Sequence, residues 1–180
     1  NEINLMQRVV LVRHNSYLFK GTVEENLKMA KPDATKEEME AVLQKVNLLG
    51  FLQTQDGLQT QLLEKASNLS GGQCQRLVIA RALLKEDSKV YIFDEAASNI
   101  DVESEELIMN VIHDLAKTKT VLLISHRLAN VVKSDKIYFL KDGEIKESGK
   151  HEELMSQNGA YRHLYESQMA LENYGKGEVA

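Results

Sequence analysis

The sequence predicts an α/β fold with a mostly parallel sheet core and an inserted helical lobe. Two short apolar runs, "KVYIFDE" and "TVLLISH", are rich in β-branched residues and are separated by the helical pattern "VESEELIMNVIHDLAK". Strand, helix and strand in this order predict parallel strands that are buried on both faces. A further short strand is expected at Leu11–Val12, and residues 21–87 are expected to be helical almost throughout.

Two helix starts in this lobe carry the capping-box pattern. Thr22 is followed three residues later by Glu25, and Thr35 by Glu38, so that each threonine and glutamate can exchange hydrogen bonds across the first turn. Gly50 is expected to end the second of these helices. A third helix is expected from Ser70 to about residue 85.

The C-terminal part predicts a hairpin followed by helices. "KIYFLKDGEIKES" should turn at Asp142–Gly143, and the last thirty residues are expected to form two short helices and a polar tail. We therefore expect a partial α/β core from residues 1–20 and 88–150, a helical lobe over 21–87, and C-terminal helices over 151–180.

Composition excludes several classes of protein. The chain has 180 residues, 43% of them hydrophobic, with a net charge of −5 and a pI near 5.6. This acidic balance argues against a broad nucleic-acid surface. The apolar runs are too short to span a bilayer, so a soluble chain is expected. Cys74 is the single cysteine, which excludes an internal disulfide; we expect it to pack as a small apolar residue rather than to act as a redox switch.

The stretch "NLSGGQCQRLVIARALL" can form an anion-binding site. Ser70 can cap the helix, while Gly71 and Gly72 leave backbone N–H groups open to an anion at the positive end of the helix dipole. By itself, the tetrapeptide that ends in Gln73 fits a plain N-cap without ligand equally well.

Two further patterns could carry phosphate chemistry. Asp94 and Glu95 end the strand "VYIF", where ligands of open α/β sheets bind; one carboxylate could serve Mg²⁺ while the other orients a water. His126 ends the next apolar run and could contact a phosphoryl group. Alone, an acidic pair is more often a turn, the histidine more often caps a turn, and Asp101 is equally ambiguous as the cap of a helix that begins near Val102.

Taken together and in this order, these stretches resemble the ATP-binding cassette (ABC) family. "LSGGQ" is similar to its signature motif, "VYIFDE" to its Walker B strand, "SNID" to its D-loop and "ISH" to its H-loop. "SYLFKGTVEENL" and "GKHEELMSQNGAYRHLYESQ" resemble the nucleotide-binding domains of ABC exporters. The resemblance implies a P-loop NTPase (ABC ATPase) fold and the cofactors ATP and Mg²⁺.

The resemblance also implies roles for individual residues. Asp94 would bind Mg²⁺ through water, Glu95 would polarise the attacking water, and His126 would contact the γ-phosphate. Two cassettes pair head to tail in this family, so the signature would grip ATP seated on a partner chain. The residues that would meet the partner's site are Ser70, Gly71, Gly72 and Gln73 of the signature, with Ser98 and Asp101 of the D-loop.

The printed sequence does not contain the phosphate-loop pattern G-x-x-x-x-G-K-[ST]. By resemblance, we expect the chain to begin inside a cassette, after that loop, so that several strands of the complete fold are missing. The chain alone should then bind ATP weakly and be inactive, and exposed apolar faces should favour self-association.

The sequence departs from the family pattern at the Q-loop. The usual glutamine falls at His14, in "VRHN", and imidazole has a different reach and titrates near neutrality. Asn99 and Ile100 are also unusual in the D-loop. These departures leave open an alternative, a degenerate cassette that closes on ATP for regulation with little hydrolysis.

We expect an ABC exporter motor domain that couples ATP hydrolysis to transport. The expected partners are a second nucleotide-binding domain, identical or different, and a transmembrane domain, with no nucleic acid; the expected location is the cytoplasmic face of a membrane. A soluble member of the superfamily that acts on ribosomes or chromosomes is a weaker alternative, because no long heptad pattern is present.

Overall fold

The computed structural model describes residues 8–177, with side chains as far as residue 172. The chain divides into two compact units, the first extending to Ile124 and the second beginning at Ser125. The predicted limits of the core, the helical lobe and the C-terminal segment stay a prediction, and their ends at 1–7 and 178–180 lie outside the described residues.

A three-stranded parallel sheet forms the centre of the first unit, which confirms the predicted parallel strands. Its strands are β1 (Val9–Arg13), β4 (Val90–Asp94) and β5 (Thr120–Ile124), in the order β1-β4-β5. The register aligns Arg13, Asp94 and Ile124. The carboxyl ends of the three strands therefore lie at one edge of the sheet.

Only one face of this sheet is packed within the described residues. Val12 and Phe93 are buried, whereas Leu11 is 49% exposed and Leu122 50%. The expectation that the strands of the "KVYIFDE" and "TVLLISH" runs are buried on both faces is therefore wrong for β5. Side chains alternate between the two faces of a strand, and the helices of the unit cover one face alone.

Helices pack on the covered face. They are α1 (Val23–Lys28), α2 (Lys36–Lys45), α3 (Leu49–Gln53), α4 (Gly71–Leu83) and α5 (Val102–Ala116). Their apolar faces meet β1 and β4 in one core, whose fully buried members include Leu27, Met39, Leu43, Leu52, Leu77, Ile79, Phe93 and Ile108.

Both predicted capping boxes are confirmed. Thr22 Oγ1 accepts from the Glu25 N–H at 3.0 Å, and the Glu25 carboxylate accepts from the Thr22 N–H at 2.7 Å. Thr35 and Glu38 make the same exchange at 3.2 Å and 2.9 Å. Each box pairs two N–H groups that the first turn of a helix leaves without intrahelical acceptors.

The predicted end of α2 at Gly50 is wrong. The helix ends at Lys45 because Asn47 adopts φ +51°, and the N–H of Leu48 donates to the carbonyl of Leu43 at 2.9 Å. This bond pattern is a Schellman motif with asparagine in the left-handed position that glycine usually takes. Gly50 lies inside α3 instead.

The expectation of nearly continuous helix over residues 21–87 is wrong for 54–70. This segment contains two short 3-10 turns and β3 (Gln61–Leu62), which pairs antiparallel with β2 (Gly21–Thr22). Left-handed backbone at Gly57 and Lys65 prevents a helix from continuing there.

The second unit contains the predicted hairpin. Strands β6 (Ile137–Lys141) and β7 (Glu144–Gly149) pair antiparallel. Asp142 and Gly143 both have positive φ, as a two-residue hairpin turn requires.

Helices α6 (His151–Ser156) and α7 (Ala160–Gly177) follow the hairpin, and α7 is longer than the expected short helix. The Glu147 carboxylate accepts from the Ala160 N–H at 2.6 Å and so holds the first turn of α7 against β7. None of the helices in the described part of the chain is long and apolar enough to cross a membrane.

Candidate functional site

The acidic pair lies at the carboxyl edge of the sheet. Asp94 ends β4 inside the strand ladder, whereas Glu95 has φ +52°, which is rare for a residue other than glycine, asparagine or aspartate. Glu95 donates its N–H to the carbonyl of Ile124 at 3.0 Å, and its own carbonyl accepts from the N–H and the hydroxyl of Ser98. The strand conformation therefore ends between the two residues of the acidic pair.

His14 joins the same edge through its backbone. Its N–H donates to the carbonyl of Asp94 at 3.1 Å, and its side chain is exposed. Arg13, at the end of β1, places its Nε 3.9 Å from Asp94 Oδ2. Because both side chains are well exposed, this ion pair contributes little to stability.

The signature turn, residues 70–73, begins α4 with a capping box. Ser70 Oγ accepts from the Gln73 N–H at 3.1 Å, and Gln73 Oε1 accepts from the Ser70 N–H at 2.9 Å. The expected cap is therefore present. The N–H groups of Gly71 and Gly72 belong to the first helical turn, where the backbone has no intrahelical acceptor and the helix dipole favours an anion.

The D-loop, residues 98–101, lies directly against the signature turn. Asp101 caps α5, as expected, with Oδ1 accepting from the Ser104 N–H at 2.8 Å. A Cβ placed on Gly71 would lie 3.8 Å from Ile100 Cγ2, an ordinary contact. Hydrogen bonds from Ser104, with a weaker contribution from the charge of Arg76, hold the pKa of the Asp101 carboxyl below its usual range.

His126 belongs to the second unit. Its side chain is exposed, and its carbonyl accepts from Gln168 Nε2 at 2.8 Å. Gln168 Oε1 accepts in turn from the N–H of Leu128 at 2.9 Å. The amide of one residue on α7 therefore holds the short segment that carries the histidine.

The carboxylates of the acidic pair suit Mg²⁺ chemically. This ion prefers oxygen ligands, keeps several waters, and commonly binds one or two carboxylates together with phosphate oxygens. The Asp94 side chain is 39% exposed and so is open to such an ion. Among the described residues, no three histidine, cysteine or acidic side chains form a metal cluster.

Three residues at this site were missed by sequence reasoning. Gln75 is 5% exposed, and its Nε2 donates to the carbonyl of Arg13 at 3.2 Å. Ser104 is 4% exposed, and Arg76 donates to the carbonyls of Gly72 and Asn47. Two features of the sequence could have indicated them. Ser104 is the third residue of a helix capped by aspartate, and Gln75 and Arg76 are polar residues in the mostly apolar helix α4.

Cys74 is half-buried in α4. Its Sγ lies 3.6 Å from the carbonyl oxygen of Ala66, and burial raises the pKa of the thiol. A thiol in this environment is a poor nucleophile at neutral pH.

Comparison with known proteins identifies the family to which the chain is similar. The family model described as "ABC transporter" matches residues 2–98. An uncharacterized ABC transporter ATP-binding protein of Haemophilus influenzae is 53% identical over 166 residues, which are 92% of this chain and 30% of the relative. The ATP-dependent lipid A-core flippase of Vibrio vulnificus is 41% identical over 167 residues, 92% of this chain and 28% of that protein.

A solved structure agrees with the sequence relatives. The structure of a bacterial Atm1-family ABC exporter with ATP bound has a TM-score of 0.85 and 30% sequence identity to this chain, and the match covers 93% of this chain and 29% of that one. The chain thus spans about 30% of the length of the relatives that it matches. The partial P-loop NTPase fold expected from the sequence is confirmed, and the chain belongs to the ABC transporter family.

Proposed function

We propose that this chain is part of the ATP-hydrolysing motor of an ABC exporter, which couples ATP hydrolysis to transport across a membrane. The observation that carries the proposal is the acidic pair at the carboxyl end of β4, where Glu95 leaves the strand in a left-handed conformation. The names of the relatives, a lipid A-core flippase and an Atm1-family exporter, support the exporter type.

In this proposal the acidic pair and the histidine have different roles in ATP hydrolysis. Asp94 would hold Mg²⁺, Glu95 would orient and polarise the attacking water, and His126 would contact the γ-phosphate. Mg²⁺, when bound, would neutralise charge on the phosphates. His14 occupies the Q-loop position, between the nucleotide site and the membrane domain.

The signature turn acts on a second nucleotide-binding domain, identical or different. Ser70 and Gln73 shape the first turn of α4 through their capping box, and the N–H groups of Gly71 and Gly72 meet the γ-phosphate of ATP held by that partner. Ser98 and Asp101 line the same interface. A membrane domain is the other partner, and the motor lies at the cytoplasmic face of the membrane.

Glu95→Gln in the intact transporter tests the function. We expect ATP hydrolysis to fall on the order of 100-fold or more while ATP binding is kept, because the amide cannot act as a base. Glu37→Gln, an exposed change in the first turn of α2, is the control and should leave hydrolysis unchanged. Full turnover by Glu95→Gln would remove this residue from the role.

We also propose that the 180-residue chain by itself binds ATP weakly and does not hydrolyse it, because the signature turn acts on nucleotide seated elsewhere. Isothermal titration should detect no tight binding with Mg²⁺ present, and tight binding would contradict this part. The alternative of a degenerate, regulatory cassette receives no support from the relatives' names.

A further inference from the structure

The second glycine of the signature turn has no room for a side chain. A Cβ placed on Gly72 would lie 2.6 Å from Ser104 Cβ and 2.8 Å from Asp101 Oδ2, and it would overlap the Ser104 hydroxyl oxygen. Real Cβ atoms essentially never approach other atoms within 3.0 Å. Since Gly72 is buried, the first turns of α4 and α5 are in direct packing contact at this point.

Ser104 also organises the D-loop side of this contact. Its N–H donates to Asp101 Oδ1 at 2.8 Å, and its nearby hydroxyl helps to lower the pKa of the same carboxyl. Ser104 is 4% exposed, so its side chain is enclosed by its neighbours. One buried serine therefore holds the D-loop carboxylate and packs against the signature glycine.

The guanidinium of Arg76 stabilises the signature turn. Arg76 Nε donates to the carbonyl of Gly72 at 3.3 Å, and Nη1 donates to the carbonyl of Asn47 at 2.9 Å. Its charge also favours the ionised form of Asp101. Arg76 thus links the signature turn to the end of α2, beside the contact between Gly72 and Ser104.

We propose that Ser104 is a positioning residue, which sets the separation of the Asp101 carboxylate from the signature turn so that both approach the partner's nucleotide as one body. The inference rests on the proposed function and deepens it. Ser104 acts through Gly72 and Asp101 and touches no nucleotide itself. Since small displacements of a reacting group cost large factors in rate, a fixed separation here controls turnover.

A steric rescue in the intact transporter tests this inference. Gly72→Ala should lower kcat on the order of 100-fold, because the new methyl group separates the two turns. Ser104→Gly alone should lower kcat about tenfold. In that background Gly72→Ala should cost only about a further threefold, because the overlap with Ser104 is then gone and the remaining close contact, at 2.8 Å, is with the far end of the Asp101 side chain. KM for ATP should change less than about threefold in Ser104→Gly, since the Ser104 side chain forms no part of the partner's ATP seat.

A matched control distinguishes relief of the steric overlap from the general destabilisation that a new glycine causes in a helix. Glu106 is exposed on α5, and Glu106→Gly adds the same backbone freedom without making room for the methyl group. Combined with Gly72→Ala, it should restore nothing. Equal loss of kcat from Gly72→Ala in the wild-type and Ser104→Gly backgrounds would overturn the inference.

A second variant keeps the inference testable where Gly72→Ala fails to fold. Ser104→Ala removes the hydroxyl alone; we expect kcat to fall about tenfold with a melting temperature near that of the wild type. A lower melting temperature with unchanged kcat per folded molecule would mean a merely structural role and would overturn the inference. Failure of the proposed function is distinct, because the wild type would then show no hydrolysis that depends on Glu95.

Discussion

Gln75 Nε2 donates a hydrogen bond of 3.2 Å to the carbonyl oxygen of Arg13, 62 positions earlier in the chain. The next N–H along the chain, that of His14, donates to the carbonyl of Asp94 at 3.1 Å. The start of the Q-loop is thus held from one side by the signature helix α4 and from the other by the acidic strand β4.

We expect Gln75→Met to lower the free energy of unfolding by about 1 kcal/mol, because it removes one part-buried hydrogen bond to the Arg13 carbonyl, which keeps the Ser16 N–H as its other donor at 3.2 Å. Urea unfolding followed by circular dichroism measures this change. Gln44→Met, on the exposed side of α2, is the control and should change stability by less than about 0.5 kcal/mol. Equal effects of the two substitutions would contradict the prediction.

The cap of α2 offers a test of local stability. Thr35→Ala removes the acceptor for the Glu38 N–H and should cost about 1 kcal/mol in urea unfolding. Thr118→Ala, an exposed threonine that makes a single long contact to the Leu115 carbonyl, should cost clearly less. A smaller loss for Thr35→Ala than for Thr118→Ala would show that this cap does not stabilise the helix.

Stability should depend on pH through Asp101. Hydrogen bonds from Ser104 hold the pKa of the folded carboxyl below its ordinary value of about 4. Such a group stabilises the fold above the unfolded pKa, and the contribution is lost as the pH falls through the lowered folded value.

The stability difference between wild type and Asp101→Asn should therefore be constant near neutrality and should shrink below about pH 4. Carboxyl NMR titration gives the pKa of Asp101 directly, and Ser104→Ala should raise that pKa by removing one donor. A difference in stability that stays constant down to acid pH would contradict this assignment.

Cys74 should react slowly with thiol reagents. Its thiol is half-buried against Ala66, and burial raises its pKa, so that little thiolate exists at neutral pH. Ellman's reagent should modify the native chain much more slowly than the urea-unfolded chain, with pseudo-first-order rates as the measurement. Equal rates in the two states would mean that the thiol is not protected by the fold.

Much of the local structure follows from the sequence because its signals are short-range. The caps at Thr22, Thr35, Ser70 and Asp101 each join residues three positions apart, and the turn at Asp142–Gly143 needs two neighbours alone. The strands can be predicted from their short apolar runs, which are rich in β-branched residues. The order of the motifs was specific enough to indicate the family.

Tertiary structure decided the contacts between distant segments. The sequence contains Gly72, Gln75 and Ser104, but no periodicity relates Gly72 to a serine on another helix or Gln75 to the end of β1. The end of α2 and the left-handed turn at Glu95 also depend on packing. A hydrogen bond within one helical turn is governed by local geometry, whereas these contacts exist because burial of apolar faces brings α4, α5 and the sheet together.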